Sequence, residues 1–498
     1  MDDVIVETTA GAVRGAAGES VATFKGLRYA APPLGERRFA APAPVDPWDG
    51  VVDALAFGPS CPQPEARPDG WMGEDATDED CLYLNVFTPA PDDRRRPVMV
   101  WFHGGGYTLG SGSWPLYDGS NLARRGDVIV VTVNHRLGIY GYLQLAHLDP
   151  AEAAAGNAGT LDLVAALEWV RDNIDRFGGD PGNVTIFGES GGGAKVCSML
   201  AMPAARGLFH RGVVQSGPSM YLSTPDDAAA RTAKVLGELG LPTDDPGAAV
   251  AGLRSATAEA LLAAQMAVAG ASRVPMGGGF GPVLDDVHLT RHPGKAVRNG
   301  EAPDVPLMIG TTFDEATLFM AGEPALRDPS LMSDADLEAR ARMFGDRAET
   351  LLAAYRASRP GATPVDLLVA MQTDAVMRVP SIRLAERKLE GGRAPVWMYL
   401  FTWAAGPMRS GHGYELPFVF DNVHEPVLHP SESRQQLADR MSGAWLAFAR
   451  HGDPNHDGLD DWPPYDLEGR PTMIFDRGTC RVQDDPWGGE RRAWRRPR

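Results

Sequence analysis

Short runs of consecutive apolar, β-branched and aromatic residues, each bounded by turn residues, constrain the fold of this chain most. Such runs are typical of strands that are buried on both faces of a sheet. The expected strands are RPVMVWF (96–102), DVIVVTVN (127–134), NVTIFG (183–188), GVVQSG (212–217) and VPLMIGT (305–311). Between the second and third lies an amphipathic stretch with helical spacing, whose apolar stripe is Leu163, Leu167, Val170, Ile174 and Phe177. Because strands alternate with helices, we expect an α/β fold with a large, mainly parallel, doubly wound sheet flanked by helices.

The chain shows neither an internal repeat nor a linker of low complexity along its 498 residues. Glycine and proline are spread along the whole length. We therefore expect one large α/β domain over residues 1–498 rather than several small ones. Two Ala/Leu-rich stretches, at about 225–275 and 320–390, are expected to be helical insertions that cover one end of the sheet and the active site.

The charge balance limits the classes of partner. Lysine and arginine number 47 and aspartate and glutamate 65, for a formal net charge of −18, which argues against nucleic acid and anionic membranes. Residues 1–11 are acidic and lack the apolar segment of a signal peptide. The apolar runs are far shorter than the ~20 residues of a transmembrane helix. We expect a cytoplasmic protein, and the sequence leaves its oligomeric state open.

Ser190 stands in a glycine-rich turn between an expected strand and an expected helix. Residues 188–192 read G-E-S-G-G, which fits the G-x-S-x-G pattern of a nucleophile elbow. Glycines two residues before and two after the serine leave space where a Cβ would collide. The N-terminus of the next helix favours the negative charge that develops on an attacked carbonyl. The position between strand and helix distinguishes this turn from an ordinary glycine-rich loop.

A second glycine run supplies what such a serine needs. His103 is followed by three glycines directly after the first expected strand, upstream of the elbow. Glycines there let backbone N–H groups point into a site without interference from side chains. An HGGG run in this place is typical of the oxyanion hole of an α/β-hydrolase.

A serine hydroxyl is a weak nucleophile unless an imidazole accepts its proton and a carboxylate orients that imidazole. In this fold the acid and the histidine follow the serine along the chain. Eight histidines follow Ser190, and spacing alone does not choose among them. His412 is favoured because it stands between two glycines after an expected strand at 399–403. His451 and His456 lie in what reads as a polar turn after a helix.

The chain resembles the type-B carboxylesterases, the family of α/β-hydrolases that includes the cholinesterases, and is most similar to its bacterial para-nitrobenzyl-esterase-like members. The motifs that carry the resemblance run nearly from end to end. They are FKGLRYAAPPLGERRF (24–39), EDCLYLNVFTP (79–89), HGGGY (103–107), VNHRLGIYGYL (133–143), the stretch 156–193 with its GESGGG, GTTFDEATLF (310–319), GHGYELPFVF (411–420) and WLAFARHGDPN (445–455).

The resemblance implies a Ser-Glu-His triad with a glycine oxyanion hole. The implied triad is Ser190, Glu315 and His412, and the implied oxyanion donors are the backbone N–H groups of Gly105, Gly106 and Gly191. The family usually has alanine where this chain has Gly191, so a looser turn is expected. Asp314 stands beside Glu315, and neighbours on an extended segment point opposite ways, so only one of them can face the histidine. Ser216 is expected near the carboxylate, as in the family, or as a simple strand-end serine.

These features predict a serine hydrolase that cleaves carboxylic esters through an acyl-enzyme, without a metal or an organic cofactor. A hydrolase of carbamates or amides with the same machinery is an alternative, and so is a catalytically silent binding protein. We expect a small neutral ester of an aryl or alkyl alcohol as substrate. A choline ester is not favoured, because Trp71 alone does not make a cage for a cation.

Three further patterns bear on possible metal and disulfide sites. DPNHDG (453–458) imitates the start of a calcium loop, but the twelfth position is Pro464 rather than a glutamate. His424 and His429 have no cysteine or aspartate cluster beside them. The family often bridges cysteines at the places of Cys61 and Cys81, and a cytoplasmic location favours reduced thiols there.

Overall fold

One thirteen-stranded sheet forms the centre of the structure, a computed structural model that describes residues 3–64, 76–218, 222–270, 279–424 and 434–495. Its strands are β1 (Asp3–Glu7), β2 (Ala12–Ala17), β3 (Ala22–Arg28), β4 (Val51–Asp53), β5 (Tyr83–Thr88), β6 (Arg96–Phe102), β7 (Ile129–Val133), β8 (Gly179–Glu189), β9 (Arg211–Gln215), β10 (Leu307–Thr312), β11 (Val396–Phe401), β12 (Pro471–Phe475) and β13 (Cys480–Asp484).

The middle of the sheet is parallel and its ends are antiparallel. Strands β7, β6, β8, β9, β10, β11 and β12 are parallel neighbours in that order. Strands β5, β3, β2 and β1 continue the sheet antiparallel at one end, and β13 does so at the other. The short strand β4 pairs parallel with β2. The expected large, mainly parallel sheet is confirmed, and its antiparallel N-terminal strands are an addition to it.

The helices pack on both faces of the sheet and around one part of its edge. They are α1 (Ser120–Gly126), α2 (Gly138–Tyr142), α3 (Ala158–Asn173), α4 (Gly191–Ala201), α5 (Pro225–Glu238), α6 (Pro246–Ser255), α7 (Ala258–Gly270), α8 (Pro293–Arg298), α9 (Ala316–Phe319), α10 (Asp334–Ala341), α11 (Ala348–Ser358), α12 (Pro364–Thr373), α13 (Val379–Gly391), α14 (Leu416–Val419), α15 (Arg434–His451) and α16 (Gly488–Ala493). A π-helical turn at Asp374–Arg378 joins α12 to α13. In the described ranges no helix is long and apolar enough to cross a membrane.

The residues of β6 show why the sheet strands are continuously apolar. Successive side chains of a strand point to opposite faces. Val98 and Phe102 therefore join the hydrophobic cluster that also contains side chains of α3 and α4. Met99 and Trp101 join the cluster on the other face, which contains side chains of α15. Both faces are covered, so the strand is apolar from Pro97 to Phe102.

A buried ion pair ties the segment after β7 to α3. Asp162 is completely buried and accepts hydrogen bonds from the Arg136 backbone N–H at 3.0 Å, from Nε at 2.8 Å and from Nη2 at 2.6 Å. Arg136 Nη1 donates to the carbonyl of Ala40 at 2.7 Å, so most of the guanidinium donors are used. A buried charge is tolerated only when it is paired and hydrogen-bonded in this way.

We predict that Asp162→Asn lowers the free energy of unfolding by about 3–5 kcal/mol, because it leaves the Arg136 cation buried without its counter-ion. The matched control is Asp172→Asn, which breaks an exposed pair with Arg171 and should cost less than about 1 kcal/mol. Urea denaturation of the two variants, followed by tryptophan fluorescence, checks this. Equal losses in the two variants would contradict the role assigned to the buried pair.

Candidate active site

Ser190 lies at a sharp turn between β8 and α4. Its backbone angles are φ 56° and ψ −120°, in a region that residues with a side chain rarely adopt. The Ser190 N–H donates to the carbonyl of Gln215 at 2.8 Å, and its own carbonyl accepts from the Ala194 N–H, which begins the helix. The turn therefore has the strain and the surroundings expected of a nucleophile elbow.

Glycines around the turn are required by close backbone contacts. A Cβ on Gly192 would lie 1.9 Å from the carbonyl oxygen of Phe102, at the end of β6. A Cβ on Gly188 would lie 2.5 Å from the carbonyl carbon of Gly192. The elbow can thus press against the end of the neighbouring strand only because these positions lack side chains.

The loop after β6 lies directly against the residue that follows Ser190. Gly105 and Gly106 both have positive φ, at 84° and 65°. A Cβ on Gly191 would lie 2.2 Å from the oxygen and 2.5 Å from the nitrogen of Gly106. Gly191 therefore does not merely loosen the turn: it allows the Gly106 backbone to come closer than an alanine at this position would permit.

Glu315 is the carboxylate that meets the histidine. Its Oε2 lies 2.5 Å from Nδ1 of His412, and the Glu315 side chain is fully buried. Its Oε1 accepts from the Thr312 N–H at 2.7 Å and from the Ser216 hydroxyl at 2.5 Å. Ser216 thus touches the carboxylate, which the sequence had left open between two expectations. The three bonds fix the orientation of Glu315.

Asp314 does not face the histidine; the two acids lie in a turn after β10, where Glu315 has helical backbone angles (φ −41°, ψ −44°), rather than on the extended segment that was expected. Its Oδ2 accepts from the Ser410 hydroxyl at 2.8 Å, and Arg409 lies 4.0 Å from its Oδ1. Burial raises the pKa of Asp314. Of the two adjacent acids, only Glu315 is in contact with the His412 ring.

The other nitrogen of His412 faces the elbow. His412 is 5% exposed, and its Nε2 lies 3.2 Å from Oε1 of Glu189, the residue directly before Ser190. The two atoms are close but not aligned for a hydrogen bond, and Nε2 makes no hydrogen bond within the described residues. Nδ1 is held by Glu315, so Nε2 is the nitrogen available to a hydroxyl proton.

Three buried carboxyl groups influence the charge of this histidine. Burial lowers the pKa of His412, but Glu189, Glu315 and Glu415 raise it by more, to about 9. Burial raises the pKa of Glu189 to about 7, against the lowering effect of His412. Burial also holds the pKa of Glu415 well above its usual range. The site therefore favours an imidazolium once a proton has arrived on His412.

A cavity of about 430 Å³ opens beside the elbow. Ser190, Gly106 and Gly191 line it, whereas Gly105, Glu315 and His412 are not among its lining residues. Its remaining wall comes from segments far apart in the sequence, and includes Tyr107, Leu222, Arg231, Phe280 and Met377. Tyr107 closes the HGGGY motif (103–107), whereas no motif marks Leu222, Arg231, Phe280 or Met377, and none of the five was predicted as a wall residue. Met377 lies on the π-helical turn, a feature often found at functional sites but visible only in the structure.

Lys195 is a further residue that sequence reasoning missed. It stands on α4, is fully buried, and its Nζ donates to the carbonyl of His103 at 2.8 Å. Burial lowers the pKa of Lys195 to about 7. The bond fastens the first residue of the glycine loop to the helix that follows the elbow.

Four more residues were singled out in the sequence. Trp71 and His429 fall outside the described residues. Cys61 and Cys81 are buried free thiols in the structure. Among the described residues no group of three or more histidine, cysteine, aspartate or glutamate side chains is placed to hold a metal ion.

The fold and the elbow define an α/β-hydrolase, and comparison with known proteins gives the family. The model of the carboxylesterase family matches residues 2–494. The para-nitrobenzyl esterase of Bacillus subtilis (strain 168) is 39% identical over 497 residues, covering 98% of this chain and 97% of that protein. The phenmedipham hydrolase of Pseudarthrobacter oxydans is 34% identical over 486 residues, covering 93% and 92%.

Solved structures agree with these relatives. A carboxylesterase of Geobacillus stearothermophilus superposes with a TM-score of 0.87 at 40% identity, covering 99% of this chain and 100% of that one. A para-nitrobenzyl esterase superposes with a TM-score of 0.85 at 39% identity, covering 98% and 99%. The chain belongs to the carboxylesterase family, and the resemblance to para-nitrobenzyl esterases is confirmed. The protein is a carboxylic ester hydrolase.

We predict that Gly191→Ala lowers kcat by roughly 10-fold or more, because the new Cβ must displace Gly106, and loss of one oxyanion donor costs about 10²–10³ in kcat. The control is Gly237→Ala, at an exposed helical position with nothing within 4 Å of the added Cβ. Steady-state hydrolysis of p-nitrophenyl butyrate measures both. Unchanged kcat in the Gly191 variant would show that Gly106 does not need its present position.

We predict that Glu315→Gln lowers kcat by up to about 10⁴-fold. The neutral amide cannot stabilise the imidazolium or hold the imidazole in the required tautomer. Asp314→Asn removes a neighbouring buried carboxylate that does not touch His412 and should be much milder. The two variants differ by position and not by chemistry, so each serves as the other's control. A greater loss of kcat in the Asp314 variant would reassign the acid.

We predict that kcat/KM rises with pH up to about 9, because His412 must be neutral to accept a proton and its pKa is raised to about 9. Glu189→Gln removes a carboxylate that stabilises the imidazolium, so the rise should move to lower pH. Glu152→Gln is the control, since it removes a buried carboxylate that pairs with Arg254 instead. An unmoved profile in the Glu189 variant would contradict this electrostatic coupling.

Proposed function

We propose that Ser190 is the nucleophile, His412 the general base and Glu315 the acid that orients the imidazole. The observation that carries this is the 2.5 Å contact of Glu315 Oε2 with His412 Nδ1, with Nε2 directed at the residue next to the strained serine. In the proposed reaction Ser190 Oγ attacks the ester carbonyl while its proton passes to Nε2 of His412. The imidazolium then returns the proton to the departing alcohol oxygen.

Release of the acid repeats the same steps with water. His412 takes a proton from a water molecule, which attacks the acyl carbonyl, and the proton returns to Ser190 Oγ as the acid leaves. The backbone N–H groups of Gly105, Gly106 and Gly191 are the proposed donors to the oxyanion in both halves. Support comes from the close contact of Gly106 with Gly191 beside Ser190. Each step conserves protons, and none requires a cofactor.

The proposed substrates are small esters without a positive charge, with aryl or simple alkyl alcohols. Leu222, Phe280 and Met377 give the cavity an apolar wall that supports such groups. The Arg231 cation on the same wall would repel a quaternary ammonium, which supports neutral esters over choline esters. The name of the Pseudarthrobacter relative adds phenmedipham to the compounds worth testing.

We further propose that the whole chain works as one catalytic domain in the cytoplasm. A single sheet carries Ser190 after β8, Glu315 after β10 and His412 on the segment after β11, which supports the first part. The low number of cysteines, four in 498 residues, and the absence of a bond between Cys61 and Cys81 in the described residues support the second. Helices α5–α7 and α10–α13 are the proposed insertions around the site.

We predict that Ser190→Ala abolishes ester turnover, with a loss of roughly 10³-fold or more, because the nucleophile is removed while alanine still fits the elbow. His412→Ala should be equally damaging. Hydrolysis of p-nitrophenyl butyrate gives the rates, and mass spectrometry after treatment with diethyl p-nitrophenyl phosphate locates the adduct.

Ser198→Ala is the control for that experiment. Ser198 lies on the helix after the elbow and its hydroxyl donates to the Ala194 carbonyl at 3.1 Å. This variant should be labelled at Ser190 and should keep its turnover. Full activity of the Ser190 variant, or an adduct on another serine, would refute the assignment.

A further inference from the structure

The cavity beside Ser190 carries two charged side chains on an otherwise largely apolar wall. Asp227 and Arg231 both belong to α5 and stand four residues apart, so they share one face of that helix. Neither belongs to the triad or to the glycine loop. A charge placed on the wall of a substrate cavity is costly unless it meets a partner there.

The carboxylate of Asp227 already has partners. Its Oδ2 accepts from the Thr224 hydroxyl at 2.7 Å, and it lies in the first turn of α5, where the helix dipole favours a negative charge. Asp227 makes no ion pair with Arg231 within 4.0 Å. The helix end thus stabilises the acid without using the guanidinium.

The guanidinium of Arg231 is held in place but uses few of its N–H donors. Its Nη2 donates to the Ser223 hydroxyl at 3.1 Å, and the guanidinium carbon lies 5.5 Å from the centre of the Phe280 ring. Within the described residues this is its one hydrogen bond, and no carboxylate lies within 4.0 Å of it. A guanidinium has five N–H donors, so four remain for a ligand. Burial lowers the pKa of Arg231, and the charge of Asp227, beyond ion-pair distance, raises it by less.

A glycine keeps this arrangement open. Gly279 has a φ of +83°, and a Cβ there would lie 3.0 Å from both Nε and Nη2 of Arg231. The guanidinium therefore lies between Ser223, Phe280 and the backbone of Gly279, which has no side chain. A planar fork of donors held at fixed orientation suits a carboxylate, which accepts two parallel hydrogen bonds.

We infer that Arg231 is a specificity-determining residue that binds a carboxylate carried by the acyl or the alcohol part of the ester whose bond is cleaved at Ser190. The inference rests on the proposed function. It names esters that also bear an acidic group as the preferred substrates within the proposed class. Neutral esters remain substrates, because the apolar wall accepts them, but they leave the guanidinium without a counter-ion. Binding involves no covalent step beyond the acyl transfer already described.

Two pairs of esters test this, each differing only in one negative charge. The acyl pair is p-nitrophenyl hydrogen suberate and its methyl-capped diester, both followed by release of p-nitrophenol. The alcohol pair is 4-butyryloxybenzoate and its methyl ester, followed by release of the phenol. The pair that responds identifies the half of the substrate that reaches Arg231.

The variants are Arg231→Gln, Arg231→Lys and, as matched control, Lys234→Gln. Lys234 is exposed on the same helix and does not line the cavity, so its change removes the same charge from elsewhere. For at least one pair, Arg231→Gln should lower kcat/KM of the acid by roughly 10- to 100-fold and change its methyl ester by less than about 3-fold. Arg231→Lys should fall between, because it keeps the charge but loses the fork. Lys234→Gln should change neither ester of a pair.

The outcomes distinguish failure of the inference about Arg231 from failure of the proposed function. If Arg231→Gln lowers the acid and its methyl ester alike, Arg231 only holds the cavity wall together and the inference is wrong. If neither ester changes, the inference is also wrong, although the hydrolase stands. If Ser190→Ala keeps full activity on the methyl esters, the proposed function itself fails.

Discussion

The contact between the elbow and the end of β6 is the constraint on which the rest of the site depends. Gly192 meets the Phe102 carbonyl where a Cβ would lie at 1.9 Å, and Gly191 meets Gly106 where a Cβ would lie at 2.2 Å. Both contacts follow from the parallel pairing of β6 with β8, since parallel neighbours end at the same edge of a sheet. The strained serine and its oxyanion loop are therefore one packing unit made from two strand ends.

The charge at the site is the second consequence of close packing. Glu189, Glu315 and Glu415 are all buried near His412, and burial penalises each carboxylate. Glu315 offsets that cost with three hydrogen bonds, whereas Glu415 has only a long bond of 3.4 Å from Gln215 Nε2 and is held towards its neutral form. The protonation of the His412 imidazole therefore depends on the charge of each of these three carboxyl groups.

Much of the fold and of the triad could be predicted from the sequence, because each depends on local patterns. The apolar run of β6 indicated a strand buried on both faces, and the glycines beside Ser190 indicated the elbow. His412 could not be chosen from spacing, because contact with Glu315 is made by tertiary packing; its place between two glycines after an expected strand favoured it, and the family motif implied the same residue. The cavity wall could not be predicted at all, since Leu222, Arg231 and Phe280 meet only when the loops fold. The contact of Gly191 with Gly106 was missed for the same reason, and a looser turn was expected in its place.

The order of the site residues along the chain has a consequence for the life of the protein. Ser190 and its glycine loop are made early in synthesis, but the proposed base is His412, which lies on the segment after β11. Strand β11 pairs with β10 on one side and with β12, near the C-terminus, on the other. With these roles, a nascent chain still short of residue 412 contains the proposed nucleophile but not its base. The proposed mechanism therefore requires nearly all of the sheet to be synthesised before an ester can be cleaved.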